Sequence, residues 1–168
     1  MFNGRSSELE AALDRTDDST IIEFQLEYAE QIKELARRAM EDVGLDAATV
    51  DRYMTDDFDY ETIPEVYKGR SRLWVDLEDA KVVGTIAVGE IDEATARLRR
   101  MFVLPELQRK GIGQQLLNTA FNFAQEQGYT SIRLDTDRRM QKAHAFYERN
   151  GFIKMGAEGD RVLYARKV

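Results

Sequence analysis

The chain has 168 residues, 43% of them hydrophobic and 33% charged, with a formal net charge of −7. That is enough apolar material for the core of one domain, while the charge argues against nucleic acid or an anionic membrane as partner. Cysteine is absent and His144 is the lone histidine, which excludes disulfides, a cysteine nucleophile and a multi-histidine metal centre.

Residues 1–19 read as a polar, acidic tail with a short helical pattern from Ser7 to Leu13. The start, Met1-Phe2-Asn3-Gly4-Arg5, lacks the apolar stretch of a signal peptide, and no run is long enough to span a membrane, so a cytoplasmic location is expected by default. Residues 20–26 alternate like a strand. Ile32, Leu35, Ala36, Ala39, Met40 and Val43 then recur at helical spacing, and Gly44 stops that helix. One or two short helices fit 46–69, with the acidic run Asp56-Asp57-Phe58-Asp59 between them. Such a run reads as a solvated loop.

From Ser71 the pattern turns to strands at 73–77, 81–88 and 96–103, an antiparallel meander. Ile112, Leu116, Leu117, Ala120, Phe121 and Ala124 share one face of a helix that Gly128 ends. Ser131 to Leu134 is a short strand. Asp135-Thr136-Asp137 supplies N-cap candidates for a helix over about 139–149, closed by Asn150-Gly151. Strands at 152–155 and 162–166 finish the chain. The strand-helix-strand unit at 96–134 implies one parallel pair inside a mixed sheet.

The helix at Ile112 has its charges reversed. Helices favour acids in the first turn, because the macrodipole and the unpaired N–H groups there attract negative charge. Here Arg109 and Lys110 precede Gly111-Ile112-Gly113-Gln114-Gln115, with no acid and no capping side chain. Two glycines let the backbone approach an anion, so the segment is either a phosphate cradle or a plain glycine turn. It is not a Walker A loop, and Leu116 stands where a dinucleotide fingerprint needs a third glycine.

Val103-x-Pro105 followed by Gln108-Arg109-Lys110-Gly111-Ile112-Gly113 and an amphipathic helix resembles motif A of the GNAT superfamily of N-acetyltransferases, Gln/Arg-x-x-Gly-x-Gly/Ala. Ala143-His144-Ala145-Phe146-Tyr147-Glu148-Arg149-Asn150-Gly151-Phe152 is similar to motif B, Ala-x-x-Leu/Phe-Tyr-x-x-x-Gly-Phe. The likeness covers residues 71–167 and, more loosely, the strand and helix at 20–43.

This resemblance implies an α/β fold over residues 20–168, a mixed and mostly antiparallel sheet of about seven strands flanked by helices. It implies acetyl-CoA as acyl donor, with the main chain of Met101, Phe102 and Val103 bonding the pantetheine arm. Arg109, Lys110, Gly111, Ile112, Gly113 and Gln114 would bind pyrophosphate. A bulge near Met101 would open a cleft for the thioester. Tyr147 matches the tyrosine that protonates the departing thiolate, a role its reference pKa of about 10 suits. Asp135 stands where some relatives carry a base, although helix capping is an equal reading and water is an alternative base. Met140 replaces an asparagine that often contacts the cofactor. Homodimers are frequent in the family.

The expected reaction is direct transfer to the primary amine of a small molecule. A protein N-terminus or lysine, or a non-catalytic acyl-CoA-binding module, are the alternatives. Arg97, Arg99 and Arg100 stand out in an acidic chain. They are expected to pair with Glu90, Asp92 or Glu93 on the neighbouring strand, or to bind an anionic acceptor. His144 reads as a packing or exposed residue before a base, and Trp74, Phe102 and Phe146 as core or cleft wall.

Overall fold

The computed structural model describes residues 20–57 and 63–168. The expected tail at 1–19 and the Phe58-Asp59 end of the acidic run lie outside the described residues.

Seven strands form one sheet: β1 (Thr20–Glu23), β2 (Arg72–Glu78), β3 (Lys81–Glu90), β4 (Thr95–Val103), β5 (Ser131–Asp137), β6 (Ile153–Glu158) and β7 (Arg161–Lys167). Their order is β1-β2-β3-β4-β5-β7-β6, and β4–β5 is the parallel pair. The helices are α1 (Ala29–Asp42), α2 (Ala47–Asp57), α3 (Ile63–Val66), α4 (Ile112–Glu126) and α5 (Gln141–Arg149). The mixed, mostly antiparallel sheet flanked by helices is therefore present as expected.

Alternation along the strands sends two sets of side chains to opposite faces. On one face, Ile86, Val88, Leu98 and Ile132 pack under Leu116, Leu117, Ala120 and Ala124 of α4, with Tyr147 of α5 in the same cluster. On the other, Leu73, Val75 and Ala87 lie under Ile32, Leu35, Ala36 and Met40 of α1. The apolar stripes seen in the sequence are those helix faces. α4 is the crossover that the parallel β4–β5 pair requires.

Two of the boundaries that differ from expectation have a clear cause. β1 stops at Glu23, and Leu26–Tyr28 is a 3-10 turn with Leu26 exposed. β2 begins only at Arg72, so past Gln25 there is no strand left to pair with. Asp135, Thr136 and Asp137 belong to β5 and do not cap α5. They keep an antiparallel ladder with Leu163, Val162 and Arg161 of β7, while Met140 takes the N-cap position without a side-chain bond. The ladder comes from a distant segment, so local residue preference had to yield to it.

Candidate active site

Two irregularities in the sheet create the site. First, Thr85 pairs with Phe102 but Ala87 pairs with Arg99, so Arg100 and Met101 together oppose Ile86. This is a bulge, and Arg100 takes its left-handed conformation, φ 52°. Second, the β4–β5 ladder ends at Arg97–Arg133. Beyond that point β4 follows β3 to Val103 and β5 follows β7 to Asp137. A slot therefore opens between β4 and β5 at the bulge.

The α4 N-terminus borders this slot. Gly111 is its N-cap at φ 85°, no side chain caps the helix, and its first turn holds no acid. Arg109 is also left-handed, φ 64°, a conformation that costs a non-glycine residue energy and is typically held at functional sites. Successive N–H groups in such a turn face one concavity, which suits an anion. The loop is anchored at its base. Arg38 of α1 grips both oxygens of Glu106 at 2.9 and 2.8 Å, and the Gln108 side chain reaches the Val103 carbonyl.

Motif B meets motif A at the same place. Tyr147 is buried, and its hydroxyl donates to the Met101 thioether, a weak acceptor, at 3.6 Å. A Cβ on Gly113 would touch Met101 Cε at 3.4 Å and the Phe146 ring at 3.6 Å, so helix, bulge and motif-B aromatics converge. Burial, with the Asp135 charge adding to it and Arg161 opposing it, pushes the Tyr147 hydroxyl far above its usual proton affinity. It stays protonated at neutral pH.

Asp135 lies on the opposite face of the sheet. Arg97 donates to its Oδ1, and Arg161 donates to its Oδ2 at 2.7 Å and to its carbonyl at 3.2 Å. Burial favours the neutral acid, but the hydrogen bonds and charges of the two guanidiniums outweigh that and hold the carboxyl below its ordinary value. A carboxylate so held is a weak proton acceptor, which works against the base role suggested for it. The expected pairing of Arg97 with β3 acids is also corrected. Glu90 is taken by Arg70, and Asp92 spends its carboxylate on the N–H groups of Ala94 and Thr95. Arg100 Nε donates to the Tyr67 hydroxyl at 3.2 Å.

Next to Asp135 is a second carboxylate. Asp137, fully buried, accepts from the Tyr53 hydroxyl of α2 at 2.8 Å and from the Arg139 backbone and guanidinium at 2.8–2.9 Å. The Arg139 hydrogen bond, assisted by its backbone N–H and Tyr53, holds the Asp137 carboxyl far below the usual carboxylate range. Folding thus lowers its proton affinity. Its contribution to stability is full above the unfolded-state value of about 4 and is lost as pH falls below that. Asp137→Asn is expected to cost about 2 kcal/mol at pH 7 and to flatten the acid side of the stability profile. Urea unfolding at pH 7 and at pH 3 measures both, and an unchanged acid side would contradict the assignment.

His144 is occupied elsewhere. Its Nε2 lies 3.0 Å from the Asp137 carbonyl, which can only accept, and its Nδ1 lies 2.9 Å from the Tyr164 hydroxyl. Both ring nitrogens tie α5 to the sheet, as the packing reading expects. Met140 turns its sulfur to the Thr136 hydroxyl at 3.8 Å. Sequence reasoning missed Tyr53 and Arg161, whose rings and charges meet only through tertiary contact, with Arg161 stacked 5.3 Å over the Tyr53 ring.

Residues 29–152 match the model of the acetyltransferase (GNAT) family. The chain belongs to the GNAT acetyltransferase family. GNAT enzymes are N-acyltransferases with acetyl-CoA as acyl donor. Human N-acetyltransferase 8 is 37% identical over 91 residues, 51% of this chain and 40% of that protein. Human N-acetylaspartate synthetase is 36% identical over 94 residues, 55% of this chain and 31% of its own length. The chain thus spans less than half of these curated relatives. Among solved structures, the PaiA N-acetyltransferase of Thermoplasma acidophilum in complex with coenzyme A superposes with TM-score 0.79 at 20% identity, covering 89% of this chain and 99% of that one. An acetyltransferase of Streptococcus agalactiae superposes with TM-score 0.76 at 24% identity, covering 91% and 100%. These superpositions show the GNAT fold. Among the described residues no helix is long and apolar enough to cross a membrane.

Proposed function

We propose that this GNAT protein moves the acetyl group of acetyl-CoA directly to the primary amine of a small molecule. One observation carries the reading: the Tyr147 hydroxyl meets Met101 at the bulge, beside the uncapped end of α4. The N–H groups of Arg109 to Gln114 would hold the pyrophosphate, with Arg109 and Lys110 adding charge. The main chain of Met101, Phe102 and Val103 would bond the pantetheine arm along the slot. Acetyl-CoA supplies a carbonyl carbon activated by its thioester.

The protein's residues then position and move protons. The amine nitrogen bonds to the carbonyl carbon, the carbon–sulfur bond breaks, and Tyr147 gives its proton to the leaving sulfur. With Asp135 held by two guanidiniums, water takes the proton that the amine loses. Asp135 serves to fix Arg97 and Arg161. A small-molecule acceptor accords with the relatives named N-acetylaspartate synthetase.

Thiol release from acetyl-CoA, followed across a panel of small amines and of peptides, tests this. Turnover with small amines is the expected result. Turnover with peptides alone would move the acceptor to proteins, and cofactor binding without any turnover would leave a binding module.

A further inference from the structure

We infer that the acceptor carries a carboxylate beside its amine, and that Arg97 and Arg161 form the subsite that binds it. The inference rests on the acetyl-transfer reading above and names the chemistry of its second substrate.

Arg97 pairs with Arg133, Arg99 pairs with Ala87, and Asp137 pairs with Arg161. Cross-strand partners share a face, and so do alternate residues of one strand. Ala87 belongs to the cluster under α1. Arg97, Arg99, Arg133, Arg161, Asp135 and Asp137 therefore all lie on the α1 and α2 side. Tyr147 lies on the other side and meets the slot from there. A donor held against Tyr147 and α4 presents its acyl group through the slot, so the amine must arrive on the arginine-bearing face.

Beside the slot, Arg97 and Arg161 share one carboxylate, Asp135, with one guanidinium on each oxygen, so this triad carries one formal positive charge. Arg139 pairs separately, with Asp137 and Asp46. The triad's charge stands in a chain of net charge −7, so it is local and built. Both guanidiniums are held in place: Arg97 by Asp135, and Arg161 by Asp135 and the face of Tyr53. Their side chains are still 43% and 35% exposed, and each fork has donors beyond those spent on Asp135. A fixed, partly exposed pair of forks is the arrangement that carboxylates bind best.

The same charge has two consequences for the amine. It repels polyamines and other multiply cationic acceptors, which supplies specificity by exclusion. It also favours the neutral, nucleophilic form of an amine placed beside it, because a nearby positive charge disfavours the ammonium.

The test uses the intact protein with saturating acetyl-CoA and three acceptor series of matched size: α-amino acids, their carboxamides and diamines. Amino acids are expected to exceed carboxamides by about 30-fold in kcat/KM and diamines by more. Arg161→Gln and Arg97→Gln should each raise the amino acid KM by about 10- to 100-fold, leave the acetyl-CoA KM in place and erase the preference for acid over amide. Arg161→Lys, which keeps charge but loses the fork, should fall between. The melting temperature of each variant separates misfolding from lost binding. Carboxamides or diamines that match the amino acids would overturn the carboxylate subsite alone, as would variants that scale every acceptor equally. Silence with every amine tried would instead overturn the acetyl-transfer reading.

Discussion

Replacing Tyr147 with phenylalanine is expected to lower kcat by about 10²- to 10³-fold while leaving the KM for acetyl-CoA nearly unchanged. The hydroxyl is the one part of the side chain that the substitution removes. The ring keeps its edge contacts with Phe146 and Phe152, at centroid distances of 5.6 Å each, so the packing survives. The lost hydrogen bond went only to a thioether, a weak acceptor whose loss costs little stability. A fall in rate would then report proton transfer and not a damaged fold.

Stability at high pH supplies a second readout. Burial and the Asp135 charge raise the proton affinity of Tyr147 on folding. A group with a raised folded-state value adds stability below its unfolded value of about 10, and that stability is lost as pH rises above it. Tyr147→Phe should therefore hold its stability better than the parent at alkaline pH while being far slower at neutral pH. Unchanged turnover in this variant would remove Tyr147 from the chemistry and return it to the core.

Much of this site is legible in the sequence because its signals are local. The reversed charge order around Gly111, which reads as a phosphate cradle or a glycine turn, survives as an uncapped, acid-free helix end. The spacing of Leu116, Leu117, Ala120 and Ala124 marks the buried face of α4 for the same reason. What the sequence hid depends on distant partners. Asp135-Thr136-Asp137 looks like a cap to its neighbours, but the ladder with β7 makes it strand. Arg97 faces acids near β3 in a simple meander, yet its partner across the parallel ladder is Arg133, which puts Asp135 two residues on, on the same face and within reach. Tyr53 and Arg161 are more than a hundred residues apart, and nothing local announces that one stacks on the other. The side of the site proposed for the donor is thus written in a contiguous loop and helix. The side proposed for the acceptor is assembled from strands and a helix that only the fold brings together.

The packing beneath that loop leads to the second large effect. Gly84 lies on β3 between Asp76 of β2 and Val103 of β4. A Cβ there would stand 2.8 Å from Leu116 Cδ1 and 2.9 Å from Ile112 Cγ2. Both side chains are at most 2% exposed, so each can give way only by pressing on the core around it. α4 therefore sits directly on the backbone of β3, and Ile112 is its first residue. Gly84→Val is expected to cost about 3 kcal/mol through overpacking. It should also raise the KM for acetyl-CoA more than that for the acceptor, because the displaced turn carries the N–H groups assigned to pyrophosphate. Gly84→Ala should show the same pattern at smaller size. Adding Leu116→Ala to Gly84→Val makes room for the new methyls, so the double variant should be less destabilised than the two single costs sum to. Denaturant unfolding and the two KM values measure all of this. Lost stability with an unmoved acetyl-CoA KM would mean that the loop, anchored through Arg38 and Glu106, holds its shape without the helix. A paired loss would mean that a missing side chain in the sheet sets the distance at which the enzyme grips its donor.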